Sequence, residues 1–505
     1  MTETWYKKLI NPILELKTDV LFLIDPADIS QFPKVREYLN KRFAKITKYE
    51  NELKLRRAIR DNEQILVIFC DKQNIPFDLL SSFATVEIDI NSIFPLLNKE
   101  LLFQYSFDDY QEIYKEYFNF KKNKYDRLSE AETREFINGV LSSETIKKRG
   151  KVLELIDSLQ DILKGVLADS NTWGTISQAF GELKYLVDDN DLNTDIEELR
   201  IEISNKFKEY VLRYYENLIY STNSFIHSNL IDIVFNNQDE KNAFICFDCM
   251  GFEEWNVIKD YLKKRIKFEY ITKYSFSMLP SETSYSGNAL FGGLTPKRIK
   301  GLEFINNIHW KNEESLFKYR LNKRMSIDDN MIYFRRCIDP RNIEIDLDSL
   351  NDYNAIGIIF SFVDRLTHPD LMNKSKLIQN IRMHLKDSNL DIFIKSLLVQ
   401  GFNVYFVSDH GSTFCKGNGI NVKKDLVDLR AKRYLLIDKK ELLEEYMSND
   451  SEIIQFKNLI GDDYLLLLTG DNMFAGKNEE GLTHGGVSVE EMIVPLIEVR
   501  YNDRF

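Results

Sequence analysis

The chain has 505 residues, 44% hydrophobic and 29% charged, with 34 Phe and 25 Tyr but only 10 Pro and 21 Gly. That length exceeds one ordinary core and predicts two or three domains, and so little Pro and Gly excludes long disordered tracts. A net charge of −12 excludes a global pull toward nucleic acid or an anionic membrane, so a local cationic patch would have to hold any polyanion.

The opening stretch, MTETWYKKLINPILELKTD, is charged too early and too often for a secretory signal, and no apolar run reaches membrane length. Five cysteines, an odd and sparse set, do not form a disulfide framework. Cys246 and Cys249 make a C-x-x-C with no second pair or nearby His, which reads as two thiols beside a strand end. These features predict a cytoplasmic protein with no membrane partner.

Residues 1–102 predict a small α/β domain. Short runs rich in β-branched and aromatic residues, 20–24 (VLFLI), 65–70 (ILVIFC) and 84–88, alternate with polar helical stretches and end at Ser92-Ile93-Phe94-Pro95. Over 103–238 strand-like runs disappear. Val152, Leu153, Leu155, Ile156, Leu159, Ile162 and Leu163 recur at helical spacing, so several antiparallel helices are predicted. The basic clusters Lys121-Lys122-Asn123-Lys124 and Lys147-Lys148-Arg149 read as solvated helix faces, because acidic residues interleave with them.

From 239 to 505 the pattern becomes strand–helix again. The runs 243–247 (AFICF), 356–362 (IGIIFSF), 404–407 (VYFV), 434–437 (YLLI), 464–468 (YLLLL) and 493–499 are near-continuously apolar, with polar helices over 252–267 and 374–400. That alternation predicts a parallel-rich sheet covered by helices on both faces.

In such sheets functional groups collect beyond the carboxyl ends of the strands. Asp248 follows AFICF, Asp364 follows IGIIFSF and Val363, and Asp409-His410 follow VYFV and Ser408. Alone, Asp248 is an ordinary turn or cap residue. Asp364 and His368, at i and i+4, share one helix face and can meet one ion or simply each other. Asp409-His410-Gly411 sets two ligand types on a sharply turning backbone, and His484 stands amid glycines in Gly481-Leu482-Thr483-His484-Gly485-Gly486. Three of the six histidines thus fall in these elements, whereas His227, His309 and His384 look ordinary. A hydroxyl cluster, Ser281, Thr283, Ser284 and Ser286, precedes a short helix ending at Gly292-Gly293. A hydroxyl there can serve as a nucleophile near a phosphate or merely as an N-cap, as Ser281 would.

Taken in order, Asp248, T-S-Y-S-G-N-A-L-F-G-G-L-T-P, D-R-L-T-H, S-D-H-G and T-H-G-G-V-S-V-E-E-M-I-V-P resemble the PglZ domain of the alkaline phosphatase superfamily, over about 240–505. The resemblance implies an alkaline-phosphatase-like sheet sandwiched by helices, preceded by the small α/β domain and the helical region. It implies Thr283 as nucleophile, ten residues before Gly293. It also implies two divalent ions, zinc or manganese: one on Asp364, His368 and His484, the other on Asp248, Thr283, Asp409 and His410. No receiver-domain pattern is present, and the first hundred residues are similar to the N-terminal region of some PglZ proteins of BREX-type phage defence. Cys249-Met250-Gly251 departs from the small or basic residue usual after this Asp, while Trp255 is kept. The expected activity is hydrolysis of a nucleotide or oligonucleotide phosphoester, a diester before a monoester. A substrate cap is expected over 297–354, where Arg320, Arg335 and Arg336 could each hold a phosphate but read first as surface ion pairs. The alternatives are a docking subunit that binds other proteins of a defence complex around a regulatory or weakly active metal site, and a phosphomutase, for which no sugar-phosphate cap is evident.

Overall fold

The computed structural model describes residues 4–61, 64–103, 105–121, 126–141, 144–189, 194–237, 240–337, 339–343, 345–368, 372–423, 426, 430–449, 451–457 and 459–501. The chain divides into two compact units, Met1–Lys148 and Arg149–Phe505.

The first unit is built on four parallel strands, β1 (Val20–Ile24), β2 (Lys45–Lys48), β3 (Ile65–Phe69) and β4 (Ala84–Glu87), in the order β2-β3-β1-β4. The period-2 alternation of an extended chain sends Leu21, Leu23, Leu66 and Ile68 into one core, with Trp5 and Phe94. It sends Phe22, Ile24, Ile65, Val67 and Phe69 into another on the opposite face. Burial on both faces explains why β1 and β3 read as unbroken apolar runs. Asp25 ends β1, is 1% exposed, and accepts the backbone N–H groups of Ile29 at 3.0 Å and Ser30 at 2.7 Å.

The second unit is organised by a six-stranded sheet. Its strands are β5 (Asn242–Phe247), β6 (Phe268–Phe276), β7 (Ile332–Cys337), β8 (Ala355–Phe360), β9 (Asn403–Val407) and, at the far end of the chain, the long strand Ile493–Tyr501. Between β9 and that last strand come β10 (Thr413–Gly417), β11 (Tyr434–Ile437), β12 (Ser451–Ile454), β13 (Tyr464–Leu468), β14 (Asn472–Met473) and β15 (Glu480–Thr483), which makes Ile493–Tyr501 β16. The order is β6-β16-β9-β5-β8-β7, with β9, β5, β8 and β7 parallel and β16 antiparallel to both its neighbours. Ile245, Phe247, Ile358 and Phe406 enter the core on one face, and Phe244, Cys246, Ile359 and Val407 the core on the other.

Several predicted elements differ. The runs YLLI and YLLLL are not part of the large sheet but pair antiparallel as β11 and β13 in a separate three-stranded sheet with β12. An apolar run marks burial on two faces and does not say in which sheet. The helix predicted over 374–400 is two helices, Lys374–Lys386 and Leu390–Val399. It breaks at Ser388, whose hydroxyl donates to Leu385 O at 2.8 Å and accepts the Leu390 N–H at 3.4 Å, a local substitute for helix bonds. Strand β6 was not foreseen, because Glu269, Thr272 and Lys273 interrupt its apolar run. The cluster at 121–124 lies mostly outside the described residues, and Lys147-Lys148-Arg149 sits on the helix Glu144–Leu163. All five cysteines are free, with only Cys70 exposed. Among the described residues no helix is long and apolar enough to cross a membrane.

Candidate metal centre

The carboxyl ends of β5, β9 and β8 lie side by side, so their trailing residues meet. Asp248 leaves β5 directly. Cys249 then turns with φ 69°, and its N–H donates to Asp409 Oδ1 at 3.1 Å, which binds the β5 and β9 exits together. At Gly411 a Cβ would stand 2.0 Å from Glu490 O and 3.3 Å from Gly251 Cα, so only glycine lets these backbones approach. Asp364 lies in the first turn of the helix Phe362–Thr367 after β8, and His368 follows that helix at once. The Gly485-Gly486 turn carries His484 back over the cluster. It is held by the fully buried pair Arg433–Glu491, at 3.0 Å, and by the Gly486 N–H on Glu491 Oε2, at 2.8 Å.

Two trios of ligand atoms result, each lying within 4.8 Å of one another: Asp364, His368 and His484, and Asp248, Asp409 and His410. His368 Nε2 is 2.8 Å from Asp364 Oδ1, and His484 Nε2 is 3.9 Å from the same oxygen. The rings of His410 and His484 stack with centroids 4.1 Å apart, so the trios adjoin. Thr283 Oγ1 faces the second trio, 3.4 Å from Asp248 Oδ1 and 3.2 Å from His410 Nε2. All seven residues named from the sequence therefore converge in one buried cleft.

The donor set fits divalent cations. His410 Nδ1 is 3.0 Å from Gly411 O and His484 Nδ1 is 3.3 Å from Ser281 O. A carbonyl only accepts, so each Nδ1 carries a proton and Nε2 is the atom that each ring turns toward the carboxylates. His484 Nε2 and Asp409 Oδ2 are buried with no hydrogen-bond partner. Buried polar atoms are rarely left so, and a cation answers both. Charge tells the same story. Burial, with Asp409 and Asp364 nearby, pushes the Asp248 carboxyl well above its usual range against the pull of Arg336. Burial opposes the His410 cation, yet Asp409, Cys249 and Asp248 outweigh it and raise that imidazole. Burial, with His410 and His368 nearby, holds His484 low. Three carboxylates crowded in low dielectric call for added positive charge.

The hydroxyl cluster sorts itself by its partners. Thr283–Gly287 is a single turn of π-helix, whose cap is Glu282, accepting the Ser284 N–H at 3.0 Å. The capping role expected of Ser281 thus falls to Glu282; Ser281 is fully buried and donates to Gly486 O at 3.1 Å. Ser286 donates to Asp409 O at 2.7 Å and accepts the Met278 N–H at 2.9 Å. His227 Nδ1, at 2.8 Å, must therefore donate to it, so this histidine braces the turn that carries Thr283. Gly293, φ 58°, closes the short helix where a Cβ would meet Arg320 Nε and Ile231 at 2.8 Å.

Of the arginines near the site, sequence reasoning named Arg336, as a surface ion pair before a phosphate holder, and missed Arg430. Arg320 is an ion pair with Asp232, as expected. Arg336 instead reaches into the cleft from β7, with Nη1 3.0 Å from Asp248 Oδ2 and Nη2 2.5 Å from Glu313 Oε2. Burial pushes Glu313 up to about 7 despite Arg336. Arg430 Nη1 lies 3.2 Å from Asp364 Oδ2, so one guanidinium stands beside each trio. No spacing signal marks either residue; only the register of β7 and the loop before β11 brings them in.

A family model described as the BREX system PglZ alkaline phosphatase-like domain matches residues 226–499, more than half of the chain. No curated protein matches it. Among solved structures, murine ectonucleotide pyrophosphatase/phosphodiesterase 5, in an inactive form in complex with AMP, is similar over 52% of this chain and 88% of that one, with 11% identity and a TM-score of 0.36. Phosphonoacetate hydrolase from Sinorhizobium meliloti, in complex with phosphonoformate, is similar over 53% and 91%, with 10% identity and a TM-score of 0.33.

Proposed function

Because the chain belongs to the PglZ family of alkaline phosphatase-like domains, we propose that it is a metal-dependent phosphoesterase of the cytoplasm, acting in bacterial anti-phage defence. Its substrate is a phosphodiester in a nucleotide or oligonucleotide, and Thr283 is the nucleophile. The observation that carries this reading is the position of Thr283 Oγ1, the hydroxyl of its cluster that faces the ligand trios.

Asp364, His368 and His484 would hold one divalent ion, and Asp248, Thr283, Asp409 and His410 the other; zinc or manganese suits these oxygen and nitrogen donors. When bound, such ions lower the pKa of a nearby hydroxyl and neutralise charge on phosphoryl oxygens. Thr283 Oγ1 forms a bond to phosphorus as the ester bond to the leaving alcohol breaks. Water then replaces Thr283 on phosphorus, and the hydroxyl regains its proton, so one diester and one water give a monoester and an alcohol. Arg336 and Arg430 supply positive charge to the non-bridging oxygens, where it builds up in the transition state. The hydrogen bonds of Ser286 to Asp409 O and Met278 N keep the turn that carries Thr283 in place.

Protein stripped with a chelator should lose turnover of bis(p-nitrophenyl) phosphate and regain it with zinc or manganese. Turnover that survives stripping, or none on any phosphodiester after reloading, sinks this reading.

A further inference from the structure

Over residues 294–325 the sign of the charge inverts: eight Lys and Arg stand against three Glu, in a chain of net charge −12. Glu313 is buried against Arg336, and Glu314 pairs with Lys318 at 2.7 Å. Lys297, Arg298, Lys311 and Lys323 are exposed and have no carboxylate partner among the described residues. The segment is one packed body, since Ile299, Ile305 and Leu316 form a small core joining the helices Pro296–Lys300 and Glu313–Met325. Two aromatic rings stand out from it. Phe304 is 46% exposed and lies 5.2 Å from the Tyr319 ring, and Trp310 is 40% exposed.

Trp310 is tied to the nucleophile. The Asn288 amide donates to Ser284 O at 2.6 Å, beside Thr283, and to His309 O at 3.0 Å, beside Trp310. Arg336, which reaches Asp248, lies 5.1 Å from the centre of the Trp310 ring. An indole and a guanidinium thus form one chain of contacts from the half-exposed Trp310 to Asp248, which Thr283 also faces.

We propose that residues 297–324 are a landing face for single-stranded nucleic acid, with Trp310 as the platform on which an unpaired base stacks beside the cleft. Exposed lysines and arginines track phosphates while aromatic faces take bases of any sequence, the combination single strands require. A duplex offers no free base face to Trp310. The local excess of positive charge attracts a polyanion that the rest of the surface repels. This names the substrate class of the proposed phosphodiesterase and rests on that reading for what is cleaved; binding can be measured without it.

The chain has four tryptophans, and Trp5, Trp173 and Trp255 are at most 2% exposed. Acrylamide quenching of the full-length Thr283→Ala protein therefore reports Trp310. An oligothymidylate about twenty nucleotides long should shield that emission, and Trp310→Phe should remove the quenchable component. Trp310→Ala should weaken binding about tenfold or more. If Lys297, Arg298, Lys311 and Lys323 each meet a phosphate, the slope of log affinity against log salt should be about −3. Lys297→Glu with Arg298→Glu should weaken binding at least about tenfold. Lys386→Glu with Lys395→Glu, an equal change of charge at exposed sites elsewhere, should change it less than about twofold. Four results overturn the proposal: no shielding, equal losses in the two double variants, a duplex binding as tightly as the single strand, or AMP matching the oligonucleotide. Tight binding by a metal-loaded parent that cleaves no diester would refute the catalytic reading and leave the landing face standing.

Discussion

Each unit sets an aspartate directly after a buried parallel strand, Asp25 after β1 and Asp248 after β5, and the two carboxylates are used in opposite ways. Asp25 accepts backbone N–H groups four and five residues ahead. Its partners are local, and it closes a turn. Asp248 meets Arg336, Thr283 and His410, each at least 35 residues away in sequence, and shares its surroundings with two further carboxylates. A carboxylate answered by its own turn is structural. One that faces side chains from distant segments, with like charge beside it, is a candidate ligand.

The strongest way to break this contrast is at the proposed nucleophile. Thr283→Ala should lower kcat on an activated phosphodiester by several orders of magnitude with the fold and metal content kept, and Thr283→Ser should retain partial activity. Parent-like kcat in Thr283→Ala would remove Thr283 from the chemistry. Next comes Asp248→Asn, which should lower bound metal from two equivalents toward one, read by elemental analysis, and take activity with it. Full metal content in that variant would make Asp248 a turn residue like Asp25.

A third test uses the buried charges behind the site. Glu253 lies 3.6 Å from Lys184 and 3.7 Å from Lys374, beyond hydrogen-bond length, and neither of its oxygens has a hydrogen-bond partner. Burial pushes its carboxyl up to about 8, against both lysines. Raised in the folded state, it is protonated there while the unfolded chain is ionised, so its contribution to stability falls as pH rises from the usual carboxyl range to about 8. Glu253→Gln should therefore gain Tm relative to the parent as pH rises from 5 to 8 and gain no more above it. A constant difference would mean Glu253 is ionised throughout. The smallest effect belongs to Asp25→Ala, about 1 kcal/mol of stability lost by denaturant titration, as for a lost cap, with activity unchanged.

The same contrast explains what could be read from the sequence. Asp248, Asp364, Asp409 and His410 were visible because each follows a strand whose apolar run marks it, and strand ends gather in α/β sheets. His484 stood out because glycines around a histidine suit no core. Arg336 was named only as one of three arginines of the expected cap, since a strand of mixed composition does not say which way it reaches, and Arg430, in a polar loop, was not named at all. Ser286 and His227 were likewise named without their bracing role, which exists only as distances. The two antiparallel strands β11 and β13 were misassigned for a related reason: hydrophobicity records burial and not partnership.

The position of β16 has a consequence at the ribosome. It lies between β6 and β9, so β6 has no ladder partner in the large sheet until β16 has left the exit tunnel. His484 emerges only shortly before it. The first unit closes its sheet by Glu87, whereas the second must wait with β6 unpaired for more than 200 residues of synthesis. A nascent chain therefore lacks the complete trio of Asp364, His368 and His484 until synthesis has passed residue 484. The strand order ties completion of the large sheet and of that trio to the same late stretch of synthesis.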